Sequence, residues 1–198
     1  MAFRQTAAAA ALGTGMFLGI SALPAQAAYT VALTQVGTNV LATGRGSIDL
    51  TDLTYFETDS TPPEIQPNAA LIATGALSSA DIYRGISGTT FFGSGLDTVA
   101  TISSGDIVGV KGSFGILAVP SGYTGGPLSD TAIYSGASLT SLGVTPGSYV
   151  WTWGTGEHAD TFTLDVPRGS TPVPEPSGLI VLPLSLAGVL VARRYRKM

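Results

Sequence analysis

The chain has 198 residues, no cysteine, one histidine and a formal net charge of −4. That composition excludes disulfide frameworks, thiol nucleophiles and the usual Cys/His zinc centres. Between residues 28 and 172 four cations (Arg45, Arg84, Lys111, Arg168) face twelve acids, a net charge near −8, which argues against nucleic acid or anionic lipid headgroups as partners.

The N-terminus reads as a secretory signal peptide. Met1-Ala2-Phe3-Arg4 supplies one positive charge, residues 7–23 form an apolar, helix-competent run, and Pro24 precedes the small-x-small site Ala25-Gln26-Ala27. Cleavage after Ala27 leaves Ala28 as the new terminus. The exported compartment implied by this layout permits disulfides, so a cysteine-free domain there must rest on its core or on bound ions.

From residue 28 onward the pattern is β. Residues 29–36 and 39–43 flank the turn Gly37-Thr38-Asn39, a hairpin signal. Further strands are expected at 47–55, 70–73, 82–86, 99–103, 107–110, 114–119, 131–134, 149–153 and 161–166, separated by Gly, Ser, Thr, Pro and Asp. No window of ten residues carries a helical period. Many short strands with frequent turns predict an all-β domain over residues 28–167, a β-sandwich or jelly-roll-like fold, with a barrel as the lesser option. Residues 56–66, with three acids and Pro62-Pro63, are expected to form a long exposed loop. Thr145-Pro146-Gly147 has the order of a type II turn, and residues 168–172 read as a polar linker.

Three features invite chemistry. Tyr149, Trp151 and Trp153 alternate along one strand and so share a face. Such a row could stack on sugar rings, as a carbohydrate (exopolysaccharide)-binding module would, or fill the interior of the sandwich, where large aromatics dominate buried area. The interior is the favoured reading. His158 lies in Gly156-Glu157-His158-Ala159-Asp160, read as a solvated hairpin loop; Glu157, His158 and Asp160 could crowd a cation. No G-x-S-x-G elbow accompanies this histidine, so a serine triad has no nucleophile. No catalytic residue, metal ligand or cofactor is therefore assigned. A structural calcium is the ion this composition tolerates best, with candidate oxygens at Asp49 and Asp52 and at Glu57, Asp59 and Glu64, none in an EF-hand spacing.

The C-terminus is a second address. Val173, Pro174, Glu175 and Pro176 favour extended, unpaired backbone. Residues 177–192 then form an uncharged run in which Leu179, Leu182, Leu186 and Leu190 are prominent, and as a helix it would be roughly 24 Å long, short for a bilayer core of about 30 Å. Arg193, Arg194, Arg196 and Lys197 follow, a stop-transfer cluster expected to stay cytoplasmic while the preceding domain lies outside the inner membrane.

This order of Pro-Glu-Pro, short apolar helix and basic tail resembles the PEP-CTERM sorting signal of Gram-negative bacteria. A similar terminal segment also carries the label of an ice-binding protein C-terminal domain, but nothing in these residues binds ice. The resemblance implies signal peptidase and a membrane-embedded exosortase as processing partners, cleavage near the Pro-Glu-Pro, and only transient residence in the inner membrane. Residues 40–50 (V-L-A-T-G-R-G-S-I-D-L), 92–95 (F-G-S-G) and 142–154 (L-G-V-T-P-G-S-Y-V-W-T-W-G) resemble a group of PEP-CTERM proteins, and this likeness brings no activity with it. The expectation is a non-enzymatic cell-envelope or extracellular-matrix structural protein of the kind found in biofilm exopolysaccharide.

Overall fold

The computed structural model describes residues 28–168. The expected signal peptide, with Ala25 and Ala27, and the whole sorting segment from Val173 to Lys197 lie outside the described residues. Ala28 opens the first strand.

The chain forms β1 (Ala28–Val36), β2 (Asn39–Gly46), β3 (Thr54–Thr61), β4 (Glu64–Gln66), β5 (Leu71–Thr74), β6 (Ser78–Arg84) and β7 (Ser87–Gly88). It continues through β8 (Thr98–Val99), β9 (Ile102–Gly105), β10 (Val108–Lys111), β11 (Ile116–Pro120), β12 (Leu128–Tyr134), β13 (Gly147–Trp153) and β14 (Asp160–Val166). They make two seven-stranded sheets, ordered β7-β13-β14-β1-β2-β12-β9 and β3-β6-β11-β10-β5-β4-β8. The all-β sandwich follows, and among the described residues no helix is long and apolar enough to cross a membrane.

The first sheet shows how alternation builds the core. In β14 the sequence D-T-F-T-L-D-V buries Asp160, Phe162, Leu164 and Val166 and turns the residues between them outward. β1 does the same with Tyr29, Val31 and Leu33. The β1–β2 hairpin turns on Gly37-Thr38, with Gly37 at φ 59° and Val36 directly opposite Asn39. A two-residue loop with glycine first matches the right-handed twist of its strands. β14 then pairs with β1 in parallel, Ala28 opposite Thr161 and Ala32 opposite Asp165, while every other pairing is antiparallel. Aromatic rings fill one cross-strand row: Trp151 meets Phe162 edge-on at 5.7 Å between centroids, and Phe162 meets Tyr29 at 5.4 Å.

In the second sheet the inward row runs Ile65, Ile72, Val110, Leu117, all buried, and continues through Tyr83 to Tyr55 at the β3 edge. Burial falls away along that row, so Tyr83 is half-buried and Tyr55 is 54 % exposed.

Three sequence expectations are corrected. Residues 56–66 are not a loop: they carry most of β3 and all of β4, joined by Pro62-Pro63. β3 lacks apolar alternation because nearly all of it is exposed at a sheet edge, where charges guard against further pairing. Residues 47–53 are not strand, and 99–103 contains the end of β8 and the start of β9, which belong to opposite sheets.

Candidate functional site

The row of Tyr149, Trp151 and Trp153 faces inward, which removes it as a sugar-stacking platform. Trp151 and Trp153 are buried and Tyr149 is half-buried. Each ring also has its polar end tied to backbone: Trp151 Nε1 donates to Thr89 O at 2.8 Å, Trp153 Nε1 to Asp49 O at 2.7 Å, and the Tyr149 hydroxyl to Thr145 O at 2.8 Å. Val150 and Thr152 take the outer face, with Val150 43 % exposed. The alternative fails for a simple reason: the opposite face of β13 is the solvated one.

Trp153 does lead to a convergence of loops. Its partner Asp49 lies in the segment between β2 and β3, and Asp49 is a hub. Its Oδ1 accepts from the backbone N–H and hydroxyl of Thr51 at 2.9 and 2.6 Å, closing an Asx turn. Its Oδ2 lies 2.8 Å from His158 Nδ1, across a separation of 109 residues. Its own N–H donates to Asp160 Oδ2 at 2.7 Å, and Thr155 N–H donates to Asp52 Oδ2 at 3.1 Å. The loops after β2 and after β13 are thus laced together by carboxylates.

These contacts set the local electrostatics. Thr51 first, then His158, holds the Asp49 carboxyl down at about 2. The same hydrogen bond raises the His158 imidazole above its ordinary value. Asp160 moves the other way, raised by burial despite its two backbone donors.

Of the residues read as cation ligands, Asp49, Asp52, His158 and Asp160 therefore come together, and each spends its oxygen or nitrogen on a neighbour. Glu157 is exposed in a short 3₁₀ turn with His158. Glu57 and Asp59 lie on exposed β3, whereas Glu64 sits on β4, so the second set is split. No group of three His, Cys, Asp or Glu side chains is placed to hold a metal ion among the described residues.

Beside Asp49 opens a cleft of about 600 Å³, walled by Tyr83 on β6, Asp49 and Thr51 after β2, and Tyr123 and Thr124 after β11. The Tyr123 ring is fixed at both sides of its hydroxyl, which accepts from Ile48 N–H at 3.1 Å and donates to Gly126 O at 2.7 Å. Tyr83 is held edge-on against Tyr55, at 5.8 Å and 77°. Asp81 secures the loop that carries Tyr123: it accepts from the hydroxyls of Thr58 and Ser121 at 2.5 and 3.0 Å and from Gly122 N–H at 2.8 Å. Those donors, Gly122 foremost, hold the Asp81 carboxyl below its usual range. Tyr83 and Tyr123 lie forty residues apart in sequence, so no motif announces this site.

No family model, curated protein or solved structure matches this chain.

Proposed function

We propose that the chain is a non-enzymatic exported protein of the cell envelope or extracellular matrix, delivered by a signal peptide and a PEP-CTERM-type sorting segment. The observation that carries this reading is where the last strand ends: β14 closes at Val166 and Pro167-Arg168 carry no strand, just before the expected linker. Trimming near the Pro-Glu-Pro would therefore spare every described strand of the sandwich. An acidic domain with four cations against twelve acids suits a hydrated extracellular polymer better than a nucleic acid.

Fractionation of cells producing the tagged chain tests the reading. Full-length protein is expected in the inner membrane and a shortened form outside, at the surface or in the matrix. Deleting Pro174, Glu175 and Pro176 should abolish the shortening; a variant trimmed as before would remove the sorting argument.

A further inference from the structure

We propose that the cleft between Tyr83, Tyr123 and Asp49 binds a neutral polysaccharide. The inference goes beyond the export reading, since it concerns what the domain holds wherever it is delivered.

A pyranose ring offers apolar C–H faces and a rim of hydroxyl groups, and a site for it needs aromatic surface with hydrogen-bond groups set at the side. Both are present. Tyr83 and Tyr123 are half-buried, so each ring is braced from behind while keeping accessible surface, and Tyr55 extends the aromatic wall toward solvent. Bracing matters because side chains already fixed lose little rotamer freedom on binding. The two hydrogen bonds of the Tyr123 hydroxyl and the Asp81 clamp on its loop supply that fixation before any ligand arrives.

The polar side of the cleft is acceptor-rich. Thr124 is exposed at the rim, and Asp49 and the Thr51 hydroxyl, although already bonded to each other and, through Asp49, to His158, keep further lone pairs that can accept. At Gly125 and Gly126 the backbone is bare, with open space where a Cβ would stand, so a ligand can approach main-chain groups closely. Sugar hydroxyls are donors that such acceptors engage.

Charge decides between sugar classes. Asp49 lines the cleft as a carboxylate, Asp81 stands beside it, and the domain around them is strongly acidic. A polymer of uronic acids would meet like charge in a partly desolvated site, whereas a neutral hexose polymer meets none.

The test is affinity electrophoresis of the full-length protein in detergent, through gels containing a soluble β-glucan, an α-glucan, a galactomannan or a polyuronate. Retardation is expected with at least one neutral polymer and not with the polyuronate. Tyr83→Ala should weaken it at least tenfold. Because that ring also touches the core, Thr124→Trp at the exposed rim serves as a second variant that obstructs the cleft without removing a packed side chain. Phe91→Ala, an exposed residue outside the cleft, should bind as wild type. No retardation by any neutral polymer, equal retardation by the polyuronate, or undiminished binding by Thr124→Trp would each overturn the proposal. None of these outcomes bears on trimming, so failure here is separable from failure of the export reading.

Discussion

The Tyr29 hydroxyl on β1 donates to the Asp130 carboxylate on β12, reaching across the whole width of β2. Gly44, opposite Asp130 on that intervening strand, makes the reach feasible. A Cβ there would stand 2.8 Å from Asp130 Cγ and closer still to the Tyr29 hydroxyl. Asp130 is 4 % exposed, and its Oδ1 has no hydrogen-bond partner. Burial raises its carboxyl above the usual range, partly offset by the neighbouring Thr74 and Tyr29 hydroxyls.

Removing the donor should therefore cost more than an average hydrogen bond. Tyr29→Phe leaves a buried carboxyl without its principal partner, and stability at pH 7 is expected to drop by about 1–3 kcal/mol. Urea denaturation measures it. An unchanged midpoint would mean the contact contributes nothing.

Asp130 also sets a pH dependence whose sign is opposite to that of a salt-bridged acid. A folded-state value above the unfolded one means the folded protein binds the extra proton, so stability is greatest below the ordinary aspartate range and declines as pH rises toward the raised value. Asp160 is raised by burial in the same direction. Asp130→Asn keeps an oxygen for Tyr29 and removes the charge, and its melting temperature should fall less than that of wild type between mildly acidic and neutral pH. Parallel curves for the two proteins would refute this.

The His158–Asp49 pair works over a different window. His158 is raised, so its contribution is present below its unfolded value of about 6.5 and is lost as pH climbs through the folded value. Asp49 is depressed to about 2, so its contribution is present above the ordinary carboxylate range and is lost as pH falls toward 2. Proton NMR of the single imidazole should show a titration displaced upward in wild type and returning toward the ordinary histidine value in Asp49→Asn. If the two titrate alike, the 2.8 Å contact is not formed in solution.

The two tryptophans of the chain, Trp151 and Trp153, give a direct optical readout of the aromatic row. Emission of the folded protein should be blue-shifted relative to the unfolded chain and resist iodide quenching, with or without added polysaccharide. Trp153→Phe, which strands Asp49 O, should cost about 1–3 kcal/mol and loosen the loop that walls the cleft. Strong quenching would restore the row as a surface platform.

Strands whose one face is core were legible in the sequence, since alternation in β1 and β14 is a direct imprint of burial. β3 was not, because a strand exposed on both faces leaves no hydrophobic imprint, and its threonines and acids read equally well as loop. The fate of Tyr149, Trp151 and Trp153 was half-legible: spacing assigns a common face but not which face the second sheet covers. The cleft was hidden more deeply. Asp49, Tyr83 and Tyr123 meet only because two loops converge on the end of β6, and their register depends on pairings between strands distant in sequence.

The parallel pairing of β1 with β14 orients the molecule. It sets Ala28 beside Thr161, at the end where Asp49 and the cleft lie, while Val166 leaves from the far end, about 20 Å away along a seven-residue strand. If the chain is held by its C-terminal segment, the attachment point and the glycan-facing end become opposite poles. The sandwich then acts as a spacer that points its cleft away from the surface that carries it. An antiparallel last strand would have put that same cleft at the end from which the chain leaves.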